Sequence, residues 1–316
     1  MKKIVYITGC LGFIGSHITR QCLDRGWYVL GIDKMTYASN DSFLKDFQQY
    51  KNFSFINQDI NDLERLVDCD YVINTAAETH VDNSIMSSDV FLRSNINGVH
   101  HLLELIKIQP KHKAPVFLHF STDEVYGDID VGSHVETDLL CPSNPYSASK
   151  AAADMLILAW ARTYDIKYII VRPTNNYGIG QYVEKLIPKS IKYLELNKLI
   201  DVHDHGKPVR TWLHAGDTAN AVMTIIDHNC INEIFNISGN KELPNKEVIK
   251  KILAIYHGVN HDHDWENFIM DSKRHGQDVR YSIDDSKIKK LGWTPKADFD
   301  MELSLVVEYY RKNFLW

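Results

Sequence analysis

Residues 3–33 read KIVYITGCLGFIGSHITRQCLDRGWYVLGID, and they decide the fold. An apolar strand over 3–8 runs into Gly9, Gly12 and Gly15, spaced GxxGxxG, and a helix over 13–25 follows. A second strand over 28–32 ends at Asp33. The glycines have separate tasks: one permits the tight turn, one lets a phosphate approach the backbone, and one lets the helix lie close on the sheet. The helix N-terminus then faces a pyrophosphate. A carboxylate about twenty residues on, at the end of strand two, accepts hydrogen bonds from an adenosine ribose. It also repels a 2'-phosphate, so the pattern favours NAD over NADP, with Lys34 offsetting part of the charge. Asp59 and Ile60, after a third strand at 53–57, are placed to border the adenine.

The alternation continues. Helices are expected at 42–49, 61–67, 89–108 and 147–163, and strands at 71–75, 116–121 and 167–172. Strands spaced by helices make βαβ units, hence an α/β, doubly wound, mostly parallel Rossmann sheet. The second half is less regular. It predicts helices at 181–196 (kinked or divided at Pro188), 215–228, 245–257 and 299–312, short strands at 199–203 and 234–237, and polar loops at 239–245 and 260–267. The expected division is an NAD-binding domain over 1–176, with 209–237 returning to it. A smaller mixed substrate lobe takes 177–208 and 238–316.

The bulk numbers exclude several classes. The chain has 316 residues, 44% hydrophobic and 24% charged, with 35 Lys plus Arg against 41 Asp plus Glu and a net charge of -6. That balance argues for a globular protein and against nucleic-acid binding. No run approaches a membrane span. The first fifteen residues imitate a signal peptide, but their glycines fit a strand and turn, so no targeting segment is expected. Cysteines at 10, 22, 69, 141 and 230 are odd in number and lack a CxxC. They predict neither disulfide scaffolding nor a metal site, and a reducing cytoplasm is the default.

Tyr146 and Lys150 form YxxxK at the start of the 147–163 helix, which puts them on one helix face about 6 Å apart along the axis. A tyrosinate can take a hydroxyl proton as hydride leaves the same carbon. Its free pKa of about 10 must fall for this to work near neutrality, and a cationic lysine lowers it. Ser121, Thr122, Asp123 and Glu124 lie at the carboxyl end of the 116–121 strand, where such sheets place chemistry. A simple dehydrogenation needs a hydroxyl such as that of Thr122 and has no use for two adjacent acids. An elimination needs one group to remove a carbon-bound proton and another to protonate departing hydroxide. The competing reading of the acids is a helix N-cap pair.

With these residues in place, the chain resembles the nucleotide-sugar 4,6-dehydratases of the dTDP-glucose type, in the extended short-chain dehydrogenase/reductase superfamily. The resemblance runs nearly end to end: DKMTYASN (33–40), NTAAETHVDNSI (74–85), FSTDEVYG (120–127), NPYSASKAAAD (144–154), RPTNNYGIGQYVEKLIPKSI (172–191), VRTWLHAGD (209–217), NISGNKELPN (236–245), RHGQDVRYSID (274–284) and LGWTP (291–295). It implies a three-stage reaction on one bound sugar: oxidation at C4, loss of water across C5 and C6, and return of hydride to C6. Tyr146 would take the C4 hydroxyl proton, aided by Thr122 and Lys150. Glu124 would take the C5 proton and Asp123 would protonate the C6 hydroxyl. The resemblance assigns Gly9, Gly12, Phe13, Ile14, Gly15, Asp33, Lys34, Thr36, Asp59, Ile60, Ala76, Ala77, Tyr146 and Lys150 to NAD. It assigns His80 and Ser84 to the sugar. Asn176, Glu184, Lys185, Leu186 and Pro188 fall to the nucleotide-diphosphate hexose, and Arg210, Asn245, Arg274 and Tyr281 to its phosphates and base.

This chain departs from the family pattern mostly on the substrate side. Asn83 stands for the arginine of HVDRSI, Thr211 for the aspartate of VRDW, and Ala215-Gly216 for a Val-Glu. His275, Gln277 and Val279 depart from RPGHDRRY. The acid, base and tyrosine are untouched, whereas the identity of the base is opened, so UDP-glucose stands beside dTDP-glucose. An epimerase or decarboxylase on the same scaffold would not need Asp123 and Glu124. A catalytically silent NAD-binding scaffold would not need Tyr146 and Lys150 either. Apolar excess on the 89–108 and 147–163 helices, with MLILAWA at 155–161, predicts a homodimer.

Overall fold

The computed structural model describes residues 2–274 and 276–313, so His275 lies outside the described residues. In chain order the first elements are β1 (Ile4–Thr8), α1 (Phe13–Asp24), β2 (Tyr28–Asp33), α2 (Asp41–Phe47), β3 (Phe53–Asn57) and β4 (Tyr71–Asn74). Then come α3 (Val81–Met86), α4 (Asp89–Phe91), α5 (Gly98–Lys107), β5 (Val116–Phe120), α6 (Pro145–Tyr164) and β6 (Tyr168–Pro173). The remainder is β7 (Asn175–Tyr177), α7 (Leu186–Glu195), β8 (Ile200–His203), β9 (Val209–His214), α8 (Ala215–Asp227), β10 (Glu233–Ile237), β11 (Lys241–Pro244), α9 (Asn245–His257), β12 (Ile269–Ser272), α10 (Ser286–Lys289) and α11 (Phe299–Lys312).

Seven strands form one parallel sheet in the order β10-β6-β5-β4-β1-β2-β3. The order reverses beside β1, and the crevice at that reversal is where such sheets hold ligands. β4 and β5 are buried at every position, as strands covered by helices on both faces must be. Ile18, Ile73, Leu118, Val222 and Phe235 share the core on one face; Val72, Leu102, Phe117, Ile157 and Ile170 share that on the other. A third core joins Ile187, Ile191, Trp212, Ile249, Leu253, Leu303 and Val307 around two small sheets, β11-β9-β7 and β12-β8.

Several expectations fail for identifiable reasons. The helix expected at 61–67 is a single 3-10 turn, Ile60–Asp62. Beyond it, the Tyr6 hydroxyl accepts from the Val67 N–H at 3.0 Å and the His101 ring meets the Leu63 carbonyl at 2.7 Å. Side chains thus satisfy backbone groups a helix would have used. The expected kink at Pro188 is absent, because α7 starts at Leu186 and the proline sits in its first turn, where no N–H is required. The 89–108 helix is interrupted by a π-turn at Leu92–Asn97. There Asn95 leaves the helix surface to exchange hydrogen bonds with the Glu78 backbone and Ser149. The polar loop at 239–245 holds β11, which pairs antiparallel with β9, a strand the composition of 209–214 did not announce.

Candidate active site

The glycine turn is built to leave backbone exposed. Gly9 has φ +70°, and a Cβ there would stand 2.7 Å from the Ala76 nitrogen. A Cβ on Gly15 would stand 2.0 Å from the Gly9 carbonyl oxygen, so α1 can lie this close to the sheet only with glycine. Gly12 differs: a Cβ there would meet only the Gly9 oxygen, at 3.2 Å, and otherwise open cavity. Its backbone lines a cleft shared with Gly9, Asp33, Lys34, Thr36, Asp59, Ile60, Ala76 and Ala77. The backbone of the glycine turn and the carboxylates of Asp33 and Asp59 thus meet in one cleft. Asp33 also organises it, since its carboxylate accepts from the Leu11 N–H at 3.0 Å, the Met35 N–H at 2.8 Å and Ser39 at 2.8 Å. Lys34 lies 3.6 Å from Asp59, which draws its charge away from Asp33.

The cleft opens into a second cavity lined by Gly12, Phe13, Ile14, Gly15, Thr122, Asp123, Glu124, Tyr146, Asn176, Glu184 and Lys185. β5 ends just before Thr122, and a short 3-10 turn, Asp123–Tyr126, carries the acids with Thr122 as its cap. The capping role is therefore real, but it belongs to Thr122, whose hydroxyl accepts from the Glu124 N–H at 3.3 Å. α6 begins with a capping box between Asn144 and Ser147 and Pro145 in its first turn, which fixes Tyr146 at the cavity wall.

Asp123 is buried and Glu124 half-buried, and this separates their surroundings. Burial, then the Glu124 charge, pushes Asp123 up to about 7. One of its carboxylate oxygens, Oδ2, is buried with no hydrogen-bond partner among the described residues. Burial also raises Glu124, but Arg210 and Lys185 counter it. Arg210 and Lys185 thus favour a charge on Glu124, while burial and the Glu124 charge push Asp123 toward its neutral form. Burial and the charge of Glu124 push the Tyr146 phenol above its ordinary range, with a hydrogen bond from Thr122 acting the other way. Lys150 does not line the cavity; it lies behind it, 3.3 Å from His119.

The third cavity continues outward from Glu124. His80, Asn176, Glu184, Lys185, Leu186, Arg210, Asn245, Arg274 and Tyr281 all line it. Arg210 stacks over the Tyr281 ring at 4.3 Å and is anchored on the Asp278 and Val279 carbonyls. The Asn245 side-chain oxygen is buried without a partner among the described residues. Arg274 is not free: it makes a two-pronged pair with Asp82. Two expected sugar and nucleotide contacts fall elsewhere. Ser84 is buried and accepts from the Tyr146 N–H at 3.2 Å, so it positions the tyrosine's helix. Pro188 is buried in the first turn of α7 and is not among the residues that line this cavity. The reading of the sequence missed Asp82, Lys189, Asp201, His203 and Gln181, which line the outer cavity. Asp82, Gln181 and Lys189 fall inside motifs quoted above, but nothing in their spacing distinguished them.

Residues 6–305 match the family model described as GDP-mannose 4,6 dehydratase. The chain is 38% identical to a dTDP-glucose 4,6-dehydratase of Haemophilus influenzae, covering 98% of each chain. It is 36% identical to a trifunctional UDP-glucose 4,6-dehydratase, epimerase and reductase of Arabidopsis thaliana, covering 99% of this chain and 48% of that one. A dTDP-glucose 4,6-dehydratase of Streptomyces venezuelae, solved with NAD bound, superposes with a TM-score of 0.90 at 36% identity, covering 98% of this chain and 97% of that one.

Proposed function

The chain belongs to the NAD-dependent nucleotide-sugar 4,6-dehydratases of the extended short-chain dehydrogenase/reductase superfamily, and from that premise we propose that it converts a nucleotide-diphosphate glucose to the 4-keto-6-deoxy sugar. The observation carrying this reading is the Asp123–Glu124 pair, sharing a cavity with Tyr146 and the glycine turn. NAD, when bound, supplies the hydride acceptor for C4 and the hydride donor for C6. Gly9, Gly12, Phe13, Ile14, Gly15, Asp33, Lys34, Thr36, Asp59, Ile60, Ala76 and Ala77 would hold it.

Tyr146 takes the C4 hydroxyl proton as a phenolate, which the positive charges of Lys150 and of bound nicotinamide would favour against the burial that raises it, with the Thr122 hydroxyl donating to it. The 4-ketone then acidifies the C5 hydrogen, which has little acidity before, so oxidation must come first. Glu124 removes the C5 proton, its charge steadied by Arg210 and Lys185. Asp123 gives its proton to the departing C6 hydroxyl, and water leaves. A proton returned at C5 completes the product.

Lys185 and Arg210, which line the outer cavity, fit the diphosphate. Gln277 lines the same cavity toward the base, where the family pattern has histidine. Incubation with dTDP-, UDP-, GDP- and CDP-glucose followed by mass spectrometry tests the reading. Loss of 18 mass units (one water, by stoichiometry) from at least one is expected; inactivity with all four overturns it.

We infer a homodimer as well. Met86, Val90, Leu92 and Met155 are 81, 54, 44 and 49% exposed on the neighbouring α3, α4, π-turn and α6. A second copy would cover this patch across a two-fold axis. Ile157, within the MLILAWA stretch, is in the monomer's own core, so the patch is narrower than that stretch suggests.

A further inference from the structure

His119 is a fully buried imidazole at the end of β5 that the reaction above does not use. Its Nε2 lies 3.3 Å from Lys150 Nζ and its Nδ1 lies 3.0 Å from Asn74 Nδ2. Asn74 Oδ1 in turn accepts from the Thr8 hydroxyl at 2.6 Å. All four side chains are buried, from two adjacent strands of the switch-point crevice, β5 and α6. A neutral imidazole offers one donor and one acceptor, so the polarity of this chain is determined from either end. Read from Thr8, Asn74 donates to Nδ1, and the ring proton sits on Nε2, facing Lys150. That suits a neutral amine. An ammonium has only donors, so it requires Nε2 to accept. The ring proton then moves to Nδ1, and the Asn74 amide turns over so that its oxygen accepts from Nδ1 and its nitrogen donates to Thr8.

We propose that His119 is a positioning residue for Lys150, within a buried Thr8–Asn74–His119–Lys150 chain whose hydrogen-bond polarity reverses with the charge on the amine. Burial supports this by keeping His119 well below the ordinary histidine range, so the ring stays neutral. Burial likewise brings Lys150 down to about 8, so the charge changes within an accessible pH range. The other charge acting on Lys150 is Asp154, further along α6, which is itself held by Arg172 and Ser121. The proposal rests on the reaction above only for the catalytic use of Lys150.

Two measurements test it. Histidine-labelled nitrogen NMR of the substrate-free protein at pH 6 should show His119 neutral with its proton on Nδ1. Lys150→Met should move that proton to Nε2. The same tautomer in both proteins overturns the proposal, whether or not the protein proves to be a dehydratase. In turnover assays His119→Gln keeps an amide that reaches Lys150, whereas His119→Asn keeps only the group facing Asn74. The asparagine variant should lose roughly tenfold in kcat, with the alkaline limb displaced to lower pH, and the glutamine variant should largely recover both. Equal losses that follow thermal stability would mean packing alone, and would overturn it. An inactive wild-type protein would sink the dehydratase reading while the NMR arm still decides this one.

Discussion

Asp123 and Glu124 are chemically near-identical neighbours in the chain, and their surroundings make them different. Asp123 has an unpartnered buried oxygen and rises to about 7, whereas Glu124 faces Arg210 and Lys185. Glu124→Gln removes the base and should cost about 10²–10⁴ in dehydration rate. Discharge of oxidised substrate without loss of water would then be seen by mass spectrometry. Asp123→Asn has a stability consequence whose sign is fixed. The unfolded carboxyl ionises near its ordinary 3.8, the folded one near 7, so the native state loses stability as pH rises between those values. The asparagine variant escapes that loss. Its melting temperature should exceed the wild type's at pH 8 and show no such advantage at pH 4. A constant difference across that range would contradict the assignment of the proton to Asp123.

At the scale of elements, β6 and α6 are locked beneath the site by a buried ion pair. Arg172 donates from Nε to Asp154 at 3.0 Å and from NH1 to the Tyr126 hydroxyl at 2.7 Å, and Tyr126 donates on to Asn236 of β10. Burial raises the Asp154 carboxyl, and Arg172 opposes this. Removing one partner leaves an uncompensated buried charge. Arg172→Met should therefore cost about 3–5 kcal/mol in urea unfolding, and Asp154→Leu added to it should recover much of that loss. The network joins β6, β10, the 3-10 turn that carries Asp123 and Glu124, and the helix that carries Tyr146 and Lys150, so it holds the catalytic elements in register as well as the fold.

The whole molecule divides by its cores. β10 and α8 pack into the large sheet's core, while α7, α9 and α11 close around the smaller sheets. We propose that 1–176 with 209–237 form the NAD-binding domain and that 177–208 with 238–316 form most of the substrate lobe. Asp217 ties the two, accepting from the Lys296 and Ala297 N–H groups at 2.9 Å each. A dimer should appear in light scattering at twice the 36.4 kDa chain mass. Met86→Lys together with Met155→Lys should shift it toward 36.4 kDa without unfolding it. A wild-type monomer would end the dimer proposal. Among the described residues no helix is long and apolar enough to cross a membrane.

The sequence by itself determined the large sheet, the glycine turn, Asp33, and the Asp-Glu and YxxxK motifs, because these rest on local properties: apolar periodicity, backbone freedom and fixed spacing along one helix. It also carried the family, whose motifs are contiguous. It did not reveal that Ser84 supports Tyr146 while His80 lines the outer cavity, since both lie in one polar segment and only packing separates them. Nor did it announce β9, whose pairing with β11 supplies hydrogen bonds that no local pattern encodes. The Asp82–Arg274 pair joins residues 192 positions apart, and the His119–Lys150 contact joins two separate elements. Tertiary structure alone decided these, and with them the unlike surroundings of Asp123 and Glu124, because burial and the field of distant cations exist only once the chain has closed.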